Sequence, residues 1–533
     1  ALKCNVSGSA NTALGKSTLL KNTAANNTAV GHNALTCNTS GTCNVAVGFC
    51  ALKTQTAANQ NTAIGMLSMA ATTSGIRNVA VGRQSMCANT TGCCNVAMGS
   101  NALASGTTGD FNVAVGGAAL GSINTGNCNT AVGACAMNTN TSGASNTAVG
   151  ALALCANTTA SENIAIGFCA MRATTTGAVN IGIGVNSMAE NTTGCHNVVV
   201  GTGGLQCNTS GCQNIAMGLQ AMRFNQTGDF NTALGTFALC KNTTADSNTA
   251  VGFGSLRVNT TGANNTSVGL NSLCSNTTGA KNIAVGTNAL ERNTTASNNV
   301  AVGFDAMLKT TTGCRNVGVG ESVLKENTTG VCNTAVGAFT FEQNSTGDFN
   351  TAIGMLALNR NTTADNNTAV GFQTLTTSTT ANFNTAVGME AGKLVTTGSQ
   401  NTFLGFRAGD LNTTASNNTA VGTNALGATT TGANNTAVGH SALVDNQTGT
   451  QNTAVGKGSL ASVTTGSNNV AIGEGSGSNL TTGTNNLALG YVAGTDAVGN
   501  LITSTNFIIL GNNSHTNAKI KIDWTVTSDL RDK

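Results

Sequence analysis

The stretch Asn435-Thr-Ala-Val-Gly439-His-Ser-Ala-Leu443-Val-Asp-Asn446-Gln-Thr-Gly449-Thr-Gln451 is one copy of a 17-residue unit that recurs through nearly the whole chain. Asn followed four residues later by Gly occurs at Asn11, Asn27, Asn44, Asn61, Asn78 and onward to Asn486. The 459 residues between Asn27 and Asn486 divide into 27 intervals of 17 without an insertion. The Asn11 to Asn27 step is 16 residues, and a last, stretched copy begins at Asn506, 20 residues after Asn486. So strict a period means that each unit stacks on the last with the same geometry, as in a repeat protein.

Composition agrees. The 533 residues include 67 Gly, no Pro and only 18 aromatic side chains, and 8% are charged, so a series of thick conventional cores is not expected. No apolar run approaches the roughly 20 residues of a membrane span, which argues against membrane insertion. The net charge of +3 is diffuse, which argues against nucleic acid as a partner. The chain is also too apolar and too regular to be disordered.

Seventeen residues cannot hold two helices and their turns. Asn-Thr/Val-Ala-Val-Gly is short, β-branched and bounded by Gly, which reads as a strand, and x-x-Ala-Leu-x-x reads as a second extended segment. Asn-Thr-Thr-Gly, as at Asn89 to Gly92, is turn chemistry. The expected fold is therefore all-β: a flattened parallel β-solenoid of about thirty 17-residue coils over residues 1–511, with residues 512–533 as an exit segment. At about 4.8 Å per coil the stack would form a rod of roughly 140 Å. The fourth position is always apolar and the ninth mostly Leu or Met, so Val30, Leu35, Val132 and Leu239 are expected to fill the interior. The near-constant third-position Ala points to the opposite face and is expected to lie against another chain. The first-position Asn column (Asn27, Asn44, Asn61, Asn129) is expected to form a side-chain ladder, with the fifth-position Gly (Gly31, Gly48, Gly65) at a tight bend. One Val and one Leu per lap are a small interior against the entropy of ordering the backbone, so a homo-oligomer is expected.

The motif Asn-Thr-Ala-Val-Gly-x-x-Ala-Leu resembles the head repeats of trimeric autotransporter adhesins and related repeats of viral and phage tail fibres. Asn384-Thr-Ala-Val-Gly388-Met-Glu-Ala-Gly392 and Asn401-Thr-Phe-Leu-Gly405-Phe-Arg-Ala-Gly409 are the closest copies. The resemblance implies a left-handed β-roll, three chains around one axis, and an extracellular adhesive or fibre role on a virion or cell surface. The coil here is longer than the adhesin head unit. Ser528-Asp-Leu-Arg-Asp-Lys533 resembles the opening of an intramolecular chaperone domain of the endosialidase type, which would make Ser528 a processing junction. Ala1-Leu2 fall at the eighth and ninth positions of a coil, so both ends are expected to cut through a longer chain.

All 18 Cys lie between Cys4 and Cys332, in columns other than the fourth and ninth. Cys37 and Cys43, Cys87 and Cys93 or Cys94, and Cys207 and Cys212 flank the same bend. Cys43/Cys50 and Cys128/Cys135 are seven apart across the strand, and Cys195 and Cys212 share a column in successive coils. Disulfide stapling in an oxidising environment is one reading; a small residue tolerated in strands is the other. Asn-x-Thr/Ser recurs at the bend, at Asn38, Asn89, Asn140, Asn157, Asn191, Asn208, Asn225, Asn242, Asn259, Asn276, Asn293, Asn327, Asn344, Asn361, Asn412 and Asn446. These are candidate glycosylation sites, although one turn-forming Asn copied through the array would create them all.

His32, His196, His440 and His515 are scattered, and no Cys-x-x-Cys pairs with His at zinc spacing, so neither metal nor cofactor is expected. No paired carboxylates, nucleophile–base set or phosphate loop points to an enzyme; Gly182-Ile-Gly184 belongs to the repeat. The paired Thr columns, such as Thr90-Thr91, follow the bend Asn, which places them in a turn and disfavours a flat ice-binding face. Thr-Gly-Asp-Phe-Asn recurs at Asp110, Asp229 and Asp348, 119 residues apart, as duplicated blocks of seven coils would give. The expectation is a non-enzymatic fibre or adhesin that associates with itself as a homotrimer and contacts a host-surface glycan or receptor. The alternative is a secreted, self-assembling filament joined end to end.

Overall fold

Thr/Val at the second position, Ala at the third and Val/Ile/Leu/Met at the fourth form a three-residue strand in each lap. In the computed structural model, which describes residues 1–496 and 500–514, thirty such strands are found and no helix among the described residues. The chain is an all-β parallel solenoid that divides into two compact units, Ala1–Asp305 and Ala306–Lys533. The first unit holds the strands from β1 (Thr12–Leu14) to β18 (Val300–Val302), and the second those from β19 (Val317–Val319) to β30 (Ile508–Leu510).

Within each unit every strand pairs with its sequence neighbour, parallel and in register. Thr28, Ala29 and Val30 face Val45, Ala46 and Val47 in the first unit, and Thr419, Ala420 and Val421 face Thr436, Ala437 and Val438 in the second. The register survives the stretched last coil, where Leu487 pairs with Ile508. Bonding from coil to coil continues around the turns. Asn33 N–H donates to Lys16 O at 3.0 Å, Leu35 N–H to Ala51 O at 3.0 Å and Thr39 N–H to Thr56 O at 2.8 Å.

The segment expected to be a second strand is instead a compact left-handed turn. In the coil that begins at Asn27, Asn33 has φ 58°, Leu35 φ 49° and Cys43 φ 59°, and Gly31 lies at φ 127°. This pattern repeats in coil after coil. Left-handed backbone costs L-residues roughly 1–2 kcal/mol each, which suits Asn at several seventh and seventeenth positions and Gly at the seventh in Gly203, Gly254, Gly458 and Gly475. It also explains why the ninth position carries Leu, Met, Phe or Gly but no β-branched residue from Leu35 to Gly477.

The faces of the strand are the reverse of those expected. Ala29, Ala46, Ala131 and their equivalents are fully buried, whereas Val132 is 37% exposed and Val30 half-buried on the outside. Leu35 and Leu239 do sit in the interior. The reason is width: the ninth-position side chain lies directly over the sheet, leaving room on the strand for little more than a methyl group. Exceptions demonstrate the shared volume. Phe403 replaces the third-position Ala, and the ninth positions beside it are Gly392 and Gly409, where a Cβ would stand 2.8 and 2.4 Å from the Phe403 ring. Val199 at a third position is matched by Gly204 at the eighth, where a Cβ would come within 2.7 Å of Val199 Cγ1. Such swaps conserve volume in a closely packed interior.

Candidate functional site

Two buried columns of asparagine run along the inside of the coils. In the first-position column, the backbone N–H of Asn44 donates to Asn27 Oδ1 at 3.0 Å, that of Asn61 to Asn44 Oδ1 at 3.0 Å and that of Asn129 to Asn112 Oδ1 at 3.0 Å. The Asn27 Nδ2 group donates in turn to Gly41 O at 2.8 Å, across the bend of its own coil. The twelfth-position Asn reaches the same carbonyl from the other side: Asn38 Nδ2 donates to Gly41 O at 2.9 Å. It also links coils, as where Asn208 Nδ2 donates to Asn191 Oδ1 at 2.8 Å. A lap with Asn in both columns thus satisfies its buried bend carbonyl with two side-chain amides, as where Asn27 and Asn38 both donate to Gly41 O. The fifth-position glycines close the opposite bend. Gly31, Gly48 and Gly65 have φ between 127° and 138°, and a Cβ on any of them would stand within 2.5 Å of the next coil's carbonyl oxygen.

The twelfth-position asparagines are the candidate glycosylation acceptors, and the structure removes them from that role. Asn38, Asn89, Asn140, Asn157, Asn191, Asn208, Asn225, Asn242, Asn259, Asn276, Asn293, Asn327, Asn344, Asn361, Asn412 and Asn446 are all at most 1% exposed. A glycan would need the Nδ2 atom, which in Asn38, Asn225 and Asn446 donates to the bend carbonyl and in Asn412 is buried without a partner. The sequence held a signal for this burial, because the same column accepts Ile123, Val395, Val463 and Leu480. Where it holds Thr72, Thr174 or Ser378, the shorter hydroxyl finds no partner. Sequons that do reach the surface include Asn479 and, immediately before the first-position Asn, Asn26, Asn264, Asn366, Asn417 and Asn434, the last five with φ near 60°.

The eighteen thiols are free in the structure. The bridges expected across a bend or strand, among Cys37, Cys43, Cys50, Cys87, Cys93, Cys94, Cys128, Cys135, Cys207 and Cys212, are not made. Sulfur meets sulfur instead within one column of successive coils. Cys195 and Cys212 place their sulfurs 2.8 Å apart, one coil above the other. The hydrogen bond to Cys212 and burial push the Cys195 thiol up to about 11. Burial also raises Cys87, Cys207, Cys240 and Cys274. Thiols shifted this way carry little thiolate at neutral pH and are poor nucleophiles.

One charged cluster stands out in the second unit. Glu390, with its side chain only 9% exposed, accepts from Lys393 Nζ at 2.9 Å and from Arg407 Nε at 2.6 Å. These two cations hold its carboxyl below the usual range, while burial raises Asp410 beside Arg407. Two acids and two bases cancel, so the cluster ties one coil to the next and leaves no free charge to capture a ligand. A shallow depression of about 230 Å³ lies beside it, lined in part by Arg407, Asp410 and Asp445. His32 stacks on Phe49 with ring centroids 5.5 Å apart. Among the described residues no three His, Cys, Asp or Glu are grouped to hold a metal, and no helix is long and apolar enough to cross a membrane. Ser528, His515 and all of the 512–533 segment after Ser514 lie outside the described residues.

What the coils present outward is the second- and fourth-position face. From Thr12 to Leu510 the second position is Thr, Val, Ile or Leu and the fourth is Val, Ile, Leu or Met, with no charge in either. Sequence reasoning missed this face because it assigned the fourth column to the interior. Thr at the bend is largely engaged: Thr90 Oγ1 donates to Thr107 O at 2.9 Å, and Thr141 Oγ1 to Thr158 O at 3.0 Å. Set beside known proteins, the chain matches no family model, no curated protein and no solved structure.

Proposed function

We propose that this chain is a non-enzymatic structural element of an extracellular fibre: a repeat scaffold on a virion or cell surface that associates with further copies of itself and carries attachment contacts. The observation that carries this reading is where the polar chemistry goes. The buried amides, the fifth-position glycines and the Glu390 cluster are all engaged in joining one lap to the next, and the thiols with resolved shifts are held protonated. Among the described residues, the Arg407 and Asp410 side chains that border the shallow depression are tied up in the Glu390 cluster. A homotrimeric, left-handed β-roll and a host-surface glycan or receptor as ligand are the finer form of this reading, and they rest on the resemblance of the repeat. The secreted filament shares the same self-association but joins units end to end.

Sedimentation and electron microscopy of the full chain test the proposal. Discrete, elongated assemblies that bind cells or a glycan array support the fibre, and open-ended strands support the filament. A monomer with a turnover activity refutes both.

A further inference from the structure

We infer that the outward face of the second and fourth positions is the surface through which copies of this chain meet. The inference rests on the self-association proposed above and names where it occurs. In the coil that begins at Asn163, Ile164, Ile166 and Phe168 are 37%, 38% and 52% exposed. In the coil that begins at Asn214, Ile215, Met217 and Leu219 are 40%, 42% and 44% exposed. These side chains crown a parallel sheet whose strands stack in register, Ile215 over Val198 and Met217 over Val200. The ridges therefore recur at about 4.8 Å along the face.

The extent of this face sets it apart from ordinary surface. Two outward side chains per strand, each leaving about 40–60 Å² uncovered, give roughly 1,500 Å² over the first unit, against about 800 Å² per partner in a stable complex. The largest apolar patch of an ordinary monomer is about 300–600 Å².

A second copy is the occupant that fits. With no charge in either column, the face offers no ion pair to a partner of opposite sign. Its specificity lies in its spacing. Only a surface with the same coil-to-coil repeat can set ridges into grooves at every lap, and another copy has that repeat by construction. Two such sheets pack face to face at about 10 Å, with side chains interdigitated.

The test is sedimentation equilibrium of the full chain at micromolar concentration, for the wild type, for Ile166→Lys/Met217→Lys on the face, and for Thr159→Lys/Ser210→Lys on the exposed bend with the same added charge. The expected result is a multiple of 52.8 kDa for the wild type and the bend variant, and 52.8 kDa for the face variant with an unchanged circular dichroism spectrum. If all three remain multimers, the face assignment falls while self-association stands. If the wild type is itself a monomer, both fall. Thermal hysteresis of that monomer, abolished by Ile166→Lys/Met217→Lys, would then assign the face to ice. If the face variant loses its strand signal, the outward placement of Ile166 and Met217 is wrong and the inference goes with it.

Discussion

Replacing Asn225 by Ala tests the inner amide ladder directly. Asn225 sits in a run of seven successive twelfth-position asparagines, from Asn191 to Asn293. Its Nδ2 donates to Asn208 Oδ1 at 3.1 Å and to Gly228 O at 2.9 Å, and its Oδ1 accepts from Asn242 Nδ2 at 2.8 Å. Alanine removes all three bonds. Gly228 O keeps the Asn214 amide at 2.9 Å, and Asn242 keeps Ala245 O at 2.9 Å, so the group left stranded is Asn208 Oδ1. At about 1 kcal/mol net per bond plus about 1–2 kcal/mol for the stranded acceptor, the loss is about 4–5 kcal/mol. Because each coil touches only its neighbours, the loss is felt locally. Amide hydrogen exchange is the assay, read at Thr209 and Gln226, which donate from coil to coil at 2.9 and 2.8 Å. Their opening is expected to rise roughly a thousandfold, at 1.4 kcal/mol per decade, while Gln226→Ala, at the exposed neighbour, leaves it unchanged. Exchange within about threefold of wild type in Asn225→Ala, or equal effects of the two substitutions, would refute the ladder as a source of stability.

Leu239→Asp buries a charge at a fully closed position and is expected to cost more than about 4 kcal/mol, whereas Val132→Asp, at 37% exposure, is expected to cost the folding of the single chain less than about 1 kcal/mol while weakening self-association; equal protease sensitivity of the two dissociated variants would contradict the corrected faces. Gly133→Ala puts a Cβ 2.5 Å from Gly150 O and is expected to destabilise by about 3 kcal/mol or more, read as a lower melting temperature, while Gly117→Ala, with nothing within 4 Å of its Cβ, is expected to be neutral. Lys393 and Arg407 hold Glu390 below its ordinary value of 4.5, so its contribution is present above that pH and is lost as the pH falls through the lower, folded value. Asp410, raised by burial, opposes this with the reverse sign, and Glu390→Gln should flatten the acid limb of a stability–pH curve. An acid limb unchanged by that substitution would disprove the pairing. Oxidised glutathione should join Cys195 to Cys212, releasing two reduced glutathiones and adding about 3 kcal/mol; peptide mapping that finds either thiol bridged elsewhere would contradict the contact.

Much of the lap could be read from its columns. The unbroken spacing from Asn27 to Asn486 already required identical stacked coils, and Thr/Val-Ala-Val bounded by Gly already required a short strand. The wrong turn came at Ala29 and Val30. Alternation along a strand says that they face opposite ways but not which way is in, and hydrophobicity alone favoured Val. The better signal was compensation, with Gly392 and Gly409 flanking Phe403, which ties the third position to the ninth. Likewise, Asn-x-Thr at Asn225 looked like an exposed turn, whereas Ile123 and Val463 in the same column mark a buried one.

The order of residues alone determined the period, the parallel register and the all-β class, because an exact repeat leaves neighbouring laps no other way to satisfy their backbone groups. The tertiary structure decided which face closed. A lap of seventeen residues with three or more left-handed positions leaves room, beneath the ninth-position Leu or Met, for little more than a methyl group on the strand, so the fourth-position Val, Ile and Met are turned outward, where they line the face that a further copy would cover.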